Sequence, residues 1–197
     1  HQEARRQRQM CIRDRIAYQT GSLKANYGVE FMAGLLTHSQ DNIDKVAFFI
    51  QEAKRMGINI LGPDINASDV YFTPSKHGLR FGLAAIKDVG EAAVRLIIEE
   101  REKGGNFKDL YDFTKRMAGK KVTKKVVERL AMVGAFDCFE PFLHRKQYIF
   151  SKEQDTSLIE RSLQAGKKHY ESKLSRQLSL FGSDNDRQGD FAPRPPI

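Results

Sequence analysis

Apolar residues recur every three or four positions along most of this 197-residue chain, and that spacing predicts a mainly α-helical fold. The predicted helices cover residues 16–37 with a break at Gly28, 41–56, 109–117, 123–133 and, as a more polar, partly frayed helix or helix pair, 144–174. Asp41 and Thr123 are the predicted N-caps, because such side chains accept a backbone N–H at a helix start. Gly57 and Gly134 are the predicted helix stops.

A small β-hairpin is predicted within this helical chain. Ile58–Leu61 is a short β-like run that ends at Gly62 and Pro63. Val70–Thr73 and Leu79–Phe81 are further runs of this kind, and they flank a loop that contains proline and glycine. Two such runs joined by a short loop are typical of an antiparallel hairpin. We therefore expect the loop to cover residues 74–78.

The segment Phe81–Arg101 predicts a short apolar helix, a tight turn over Lys87–Gly90 and a second, amphipathic helix. The expected buried stripe of the second helix consists of Val89, Ala93, Leu96 and Ile97. This is the outline of a helix-hairpin-helix. A turn that leads into a helix N-terminus exposes unpaired N–H groups that can hold a phosphate oxygen, and Gly90 allows a close approach. Two short helices joined by a glycine turn are also common as structural connectors, so both interpretations stay open.

The chain is basic, with a formal net charge of +8, which suits a polyanionic partner. One basic cluster lies in residues 1–15, and a second, over 116–125, contains no acidic residue. The second cluster follows the predicted hairpin and is the better candidate for phosphate contacts. Its candidate lysines are Lys120, Lys121, Lys124 and Lys125, with Lys87 in the hairpin turn. The alternative interpretation is a solvated helix start.

The two ends of the chain differ from its middle. Residues 1–15 have no sustained apolar period and predict a disordered or foreign leader. Residues 175–197 are rich in polar residues, glycine and proline and predict a disordered tail. Within that tail stands the short sequence Gln177, Leu178, Ser179, Leu180, Phe181. Apolar anchors in a polar tail are typical of a peptide that docks into a partner's groove, although a last helical turn packed back on the domain is the alternative.

Several classes of function are disfavoured by the sequence. Cys11 and Cys138 are isolated, with neither zinc-site spacing nor a disulfide framework, and they favour a reducing cytoplasm. The histidines form no metal-binding spacing. No apolar run is long enough for a transmembrane helix, and the N-terminus has no secretory signal.

Five runs of this sequence resemble, in the same order, the family of bacterial DNA polymerase III alpha subunits. AYQTGSLKANYGVEFMAGLLTH resembles the end of that family's fingers region, and MGINILGPDINASDVYFT resembles the run that follows it. LRFGLAAIKDVGEAAVRLIIEER resembles its helix-hairpin-helix, and FKDLYDFTKR and KKVTKKVVERLAMVGAFD resemble the next segments. QLSLF resembles the peptide with which replicative polymerases bind the sliding clamp. Gly28 departs from the family's proline, and Asp88 stands where many hairpins have glycine.

The resemblance implies a division of the chain into five parts. They are a non-family, disordered leader (1–15), the helical end of the polymerase fingers (16–57), a helix-hairpin-helix DNA-binding domain with the small β-hairpin (58–139), a helical extension (140–174) and a flexible tail with the clamp-binding peptide (175–197). The family's catalytic carboxylates and Mg²⁺ belong to a palm domain that precedes all of these parts. The resemblance therefore implies a fragment without a catalytic residue, metal or cofactor of its own, inactive alone although its parent is a nucleotidyltransferase, a DNA-directed DNA polymerase.

The function implied is in DNA replication. The fragment is expected to bind the backbone of double-stranded DNA without sequence specificity, through Lys87, the N–H groups of Val89 and Gly90, and the lysines of the 116–125 cluster. Residues 177–181 are expected to bind the sliding clamp. The expected partners also include the other polymerase III holoenzyme subunits, in the cytoplasm and away from membranes. The alternatives are a non-catalytic DNA-binding or scaffold module, and a hairpin that only spaces other parts of the polymerase.

Overall fold

The computed structural model describes residues 2–139, 144–149 and 156–178, with side chains described except at 2–6, 9 and 176–178. The helices are α1 (Gln2–Asn26), α2 (Gly28–His38), α3 (Ile43–Arg55), α4 (Glu91–Gly104), α5 (Leu110–Met117), α6 (Lys124–Val133), α7 (Arg145–Ile149) and α8 (Leu158–Leu178). The strands are β1 (Ile60–Leu61), β2 (Thr73–Ser75) and β3 (Gly78–Arg80). The prediction of a mainly helical fold with a small β-hairpin is confirmed.

The chain divides into two compact units. The first contains residues 1–63 and 67–85, and the second contains residues 64–66 and 86–197. The second unit thus includes a three-residue piece that precedes the rest of it along the chain. Within that piece, the Asn66 side chain donates to Phe107 O at 3.0 Å and accepts from Phe107 N at 2.8 Å, while Ile65 N donates to Ala135 O at 2.9 Å.

The first unit is built around a core of α2, α3 and the sheet. Its buried residues are Ala33, Leu36, Phe72 and Leu79, and α3 contributes the partly buried Val46, Phe49 and Ile50. Helix α1 joins this unit through an ion pair of 2.8 Å between Lys24 and Glu52, which lowers the pKa of the Glu52 carboxyl through the hydrogen bond from Lys24. The predicted break near Gly28 is confirmed, because α1 ends at Asn26 and α2 begins at Gly28.

Residues 2–15 do not form an irregular leader. They are the first part of the 25-residue helix α1. The sequence there lacks an apolar period, but arginine, glutamine, methionine and alanine all favour helices, and neither glycine nor proline interrupts them. The absence of an apolar stripe therefore indicated exposure rather than disorder, and the side chains described there are exposed.

The three strands form one sheet in the order β1–β3–β2, in which β1 is parallel to β3 and β2 is antiparallel to it. The predicted hairpin is present, but its loop is shorter than the expected 74–78. Pro74 pairs with Leu79, so it lies within β2, an edge strand that tolerates proline. Gly78 has a φ of +132°, and a Cβ there would collide with Asn59 O, so glycine is required at the start of β3.

The predicted helix boundaries are close to the observed ones. The N-cap of α3 is Asn42 rather than Asp41, and its side chain accepts from Lys45 N at 3.1 Å. Gly57 and Gly134 end α3 and α6 with φ values of +76° and +84°, the left-handed region that glycine adopts without strain. The polar stretch after 144 contains the two helices α7 and α8, which is the helix pair that was one of the two expected arrangements.

The second unit has a core of its own that is rich in aromatic side chains. Its fully buried large residues include Phe113, Phe136, Tyr148, Ile97, Leu130, Ile159 and Val94. Phe113 lies between Phe107 and Phe136, with ring centroids 5.1 and 5.3 Å away. The core therefore connects α5 to the segment after α6 through ring contacts, which bury large apolar areas.

Candidate nucleic-acid interface

The segment before the hairpin turn is not an α-helix. Only a 3₁₀ turn forms there, over Leu83–Ala85, whereas the second predicted helix is present as α4. The reason lies in the hydrogen bonds, because Leu83 N donates to Asp69 O and Ala84 N donates to Val70 O. These amides are thus satisfied by the carbonyls of residues 69 and 70 rather than by the preceding helical turn. The expected stripe of α4 is largely confirmed, with Val89, Ala93 and Ile97 buried.

The hairpin turn over residues 86–90 has its unusual backbone at Asp88 and not at Gly90. Asp88 has a φ of +67°, a conformation that aspartate tolerates better than most residues. Gly90 has an ordinary φ of −73° as the N-cap of α4, and a Cβ there would meet no atom within 4 Å. Gly90 is therefore not the residue that makes the sharp turn possible. Its missing side chain instead leaves the start of α4 open.

The amide of Val89 is already engaged within the turn. Val89 N donates to Ile86 O at 3.1 Å, and the Val89 side chain is buried, so this group differs from the free amide expected from the sequence. The N–H groups of Gly90 and Ala92 have no acceptor among the residues that the structure describes. They belong to the orphan amides of a helix start. Lys87 beside them is exposed and forms no ion pair with any described residue.

The carboxylate of Asp88 lies between two cations of α6. Lys125 Nζ is 3.1 Å from Asp88 Oδ1, and Arg129 Nη2 is 3.0 Å from Asp88 Oδ2. Arg129 Nε also donates to Oδ2 at 3.1 Å. The hydrogen bond from Lys125, with the charges of both cations, holds the pKa of Asp88 below its usual value. Arg129 was not predicted, because its partner is 41 residues away along the chain.

Two more lysines of the predicted site are paired with carboxylates. Lys120 hydrogen-bonds to Glu100, and Lys124 hydrogen-bonds to Glu160. These bonds are the largest cause of the lowered pKa of each glutamate, and the bond that Lys124 donates to Glu160 raises the pKa of Lys124. The basic cluster that contains no acid in its own sequence is therefore partly neutralised by acids from α4 and α8.

Lys121 differs from these lysines. It is exposed in the turn between α5 and α6 and forms no ion pair with the described residues. Gly119 in the same turn has a φ of +80° and lies against the Tyr170 ring, where a Cβ would be 2.5 Å from Cζ. Lys87 and Lys121 are thus the two predicted lysines with no ion pair inside the part of the chain that is described.

The predicted docking peptide is only partly inside the described residues. The backbone of Gln177 and Leu178 forms the end of α8. Ser179, Leu180 and Phe181 lie outside the described residues. Binding of this peptide to a partner stays a prediction.

Other polar residues have structural roles. Asp64 Oδ1 accepts from Asn66 N at 2.8 Å, which is an Asx turn, and Asp137 pairs with Arg145 at 2.5 Å. Over the described ranges, no three histidine, cysteine, aspartate or glutamate side chains are grouped as a metal site would require. None of the helices described is both long and apolar enough to cross a membrane.

Comparison with known proteins shows which family of proteins this chain is related to. A family model described as a helix-hairpin-helix motif matches residues 57–148. The DNA polymerase III subunit alpha of Chlamydia trachomatis is 52% identical over 126 residues, which are 64% of this chain and 10% of that protein. The subunits of Vibrio cholerae and Thermus aquaticus are 39% and 48% identical, over 85% and 63% of this chain and 14% and 10% of their own lengths. The chain thus spans about a tenth to a seventh of these relatives. It belongs to the family of bacterial DNA polymerase III alpha subunits, of which it represents a part that contains the helix-hairpin-helix motif.

Proposed function

We propose that this chain is part of a replicative DNA polymerase and that its second unit holds duplex DNA through the phosphate backbone, without reading the sequence. The observation that carries the proposal is the turn over residues 86–90. It combines the exposed Lys87 with the open, uncapped start of α4, inside the region that matches a helix-hairpin-helix motif. A helix start with free amides and a nearby cation attracts a phosphate through hydrogen bonds and the helix dipole.

The candidate lysines differ in whether they must leave an ion pair before they can bind a phosphate. Lys87 and Lys121 have no ion pair to give up, so they are the strongest candidates. Lys120 and Lys124 must exchange or share Glu100 and Glu160 before they bind a phosphate, which reduces the net gain. The number of counterions released on DNA binding is therefore smaller than the lysine count of the sequence suggests.

The phosphotransfer chemistry of the parent enzyme is proposed to be supplied by residues outside this segment. Many of the chain's described carboxylates serve as helix caps, turn residues or ion-pair partners, as Asp109, Asp64 and Asp88 illustrate. The Mg²⁺ ions of the polymerase reaction stabilise charge on the transferred phosphate, and they require converging carboxylates. On this proposal the 197-residue chain alone does not extend a primer.

Duplex binding is tested by fluorescence anisotropy with a labelled duplex of mixed sequence, over a range of salt concentrations. The expected dissociation constant rises steeply with salt and is the same for unrelated sequences. Lys87→Gln is expected to weaken binding several-fold. Lys76 is also an exposed lysine and lies in the β2–β3 turn, so Lys76→Gln serves as the matched control. An affinity that does not change with salt would exclude the proposal.

A second proposed activity is tethering to the sliding clamp. The sequence QLSLF, which begins in the last turn of α8, supports it through its two leucines and its phenylalanine. A tether raises the effective concentration of the polymerase at the primer end without new DNA contacts. The double substitution of Leu180 and Phe181 by alanine is expected to abolish clamp pull-down and to leave DNA binding unchanged. Clamp capture by that double variant would refute the tether.

The alternative function is a non-catalytic DNA-binding or scaffold module. The two are distinguished by the genomic reading frame, which continues upstream into palm-like sequence if the chain is part of a polymerase. The proposal also places the protein in the cytoplasm, together with the other holoenzyme subunits.

A further inference from the structure

We infer that Asp88 positions Lys125 and Arg129 as a two-cation contact for a nucleic-acid phosphate beside the hairpin turn. We call these three residues the Asp88 triad. The inference rests on the proposed function, since it names a binding residue, Arg129, and a positioning residue, Asp88, for the same backbone contact. It also reverses the simple expectation that an acid in the turn repels DNA.

The first step is the geometry of the triad. Lys125 and Arg129 are four residues apart on α6, so their side chains project from the same face of that helix. The Asp88 carboxylate bridges them, with one oxygen facing each cation at 3.1 and 3.0 Å. Asp88 is thus bound on both oxygens and is not free to face an incoming phosphate.

The three side chains of the Asp88 triad differ in how exposed they are. The side chain of Asp88 is 26% exposed, whereas those of Arg129 and Lys125 are 38% and 63% exposed. The negative group therefore lies deeper than the two positive groups that it holds. Arg129 has five N–H donors in all. Nε donates to Asp88, Nη2 lies 3.0 Å from the same carboxylate oxygen, and Nη1 donates to the Met132 sulfur at 3.6 Å. Lys125 has three donors. Both cations keep donors for a second anion.

The Asp88 triad keeps a net positive charge. The triad carries a formal charge of +1, and the adjacent Lys87 raises the local charge to +2. The other pairs differ from this arrangement. Lys124 lies between two carboxylates, Glu160 and Glu128, which leaves that group negative. The group of Glu100, Arg116 and Lys120 is less exposed, with side chains between 15% and 28% exposed.

Asp88 also limits the rotamer freedom of the two cations. A flexible lysine or arginine loses rotamer freedom when it binds a phosphate, and that loss opposes binding. Asp88 has already fixed both side chains before DNA arrives, and it also fixes α6 relative to the turn. A held cation pair is therefore expected to bind a phosphate better than the same two cations without Asp88.

The direct test measures duplex binding of the full chain by anisotropy as a function of salt. Arg129→Gln is expected to weaken binding about fivefold and to reduce the slope of log Kd against log salt by about 0.9, the value for one lost phosphate contact. Arg129→Lys is expected to keep the slope. Lys76→Gln removes the same charge from the β2–β3 turn and is expected to change neither quantity. An unchanged slope in Arg129→Gln would overturn the inference.

The positioning role of Asp88 is tested with Asp88→Asn, which keeps the side-chain shape and tolerates the same positive φ. If Asp88 positions the cations, this variant binds DNA about two- to threefold more weakly, and the loss disappears when Arg129 is already glutamine. If Asp88 only repels DNA, the variant binds more tightly, and the inference is wrong. Thermal unfolding of each variant confirms that it is folded.

The outcomes separate this inference from the proposed function. If Lys87→Gln weakens a salt-dependent duplex binding but Arg129→Gln does not, the proposed function stands and the triad contact fails. If the unmodified chain does not bind duplex DNA, both fail together.

Discussion

Gly166 of α8 lies directly against the backbone of Thr114 in α5, so close that a Cβ on Gly166 would be 2.7 Å from Thr114 O. The Thr114 hydroxyl donates to Ser162 O at 2.9 Å one turn earlier in α8. Glycine inside a helix usually weakens it, yet α8 continues through Gly166 from Leu158 to Leu178. Here glycine permits two helix backbones to meet.

The first prediction follows from this contact. Gly166→Ala is expected to lower the free energy of unfolding by about 1–3 kcal/mol, because the backbone of α5 cannot move aside as a flexible side chain does. Urea unfolding followed by circular dichroism measures the change. The matched control is Gly34→Ala in the exposed middle of α2, where a Cβ meets nothing. That change is expected to stabilise by about 0.5–1 kcal/mol, and equal destabilisation by both variants would contradict the prediction.

A second prediction concerns the N-caps of α5 and α6. The Asp109 side chain accepts from Asp112 N at 2.7 Å, whereas the Thr123 side chain makes no capping hydrogen bond. Asp109→Ala is therefore expected to destabilise the chain by about 1 kcal/mol. Thr123→Ala is expected to change stability by much less. Melting temperatures of the two variants provide the measurement, and an equal loss in both would show that the capping bond of Asp109 is not the cause.

A third prediction is a loss of stability in acid. Hydrogen bonds from lysines hold the pKa values of Asp88, Glu100 and Glu160 below their ordinary values of 3.8, 4.5 and 4.5. Because these pKa values are lower in the folded state, the unfolded state binds more protons, and stability falls as the pH decreases below about 4.5 and through the lowered values. Urea midpoints measured between pH 7 and pH 2.5 test this.

The control for the acid transition is Lys120→Met. It removes the largest cause of the lowered Glu100 pKa. The urea midpoint of this variant is expected to depend less steeply on pH than that of the unmodified chain. An identical pH profile would show that the Lys120–Glu100 pair contributes nothing to the acid transition.

A fourth prediction concerns the thiol of Cys138. Although Cys138 is exposed as a residue, partial desolvation of its thiol, with the nearby charge of Asp64, raises its pKa to about 12. In a Cys11→Ser background, alkylation of Cys138 by iodoacetamide is therefore expected to be slow at pH 8 and to rise about tenfold per pH unit up to about pH 11, because the thiolate is the reactive form. Asp64→Asn is expected to increase the rate at pH 8. A rate that reaches its plateau near pH 9 would contradict the raised pKa.

The sequence predicted those features that depend on neighbours along the chain. The helix stops at Gly57 and Gly134 follow from local backbone chemistry, and the buried stripe of α4 follows from its period. The helix expected before the hairpin turn was wrong because Leu83 and Ala84 donate to carbonyls more than ten residues away. Local periodicity carries no information about such a competitor.

The candidate site was predictable only in outline. The positions of Lys87 and Lys121 in turns follow from the sequence. The pairing of Lys120 with Glu100, of Lys124 with Glu160 and of Asp88 with Arg129 does not, because the partners are 20, 36 and 41 residues apart. Charge counted along a sequence is therefore a poor measure of the charge that a folded surface offers.

The three-residue piece 64–66 has a consequence for dissecting this chain. Asn66 satisfies both the N–H and the C=O of Phe107, and Ile65 O accepts from Arg101 at 3.1 Å. A truncation that starts at residue 86 would remove these partners of the Phe107 backbone and the Arg101 side chain, whereas one that starts before residue 64 would retain them. The second unit is therefore a discontinuous folding unit, and a boundary chosen from the linear order of helices would cut through it.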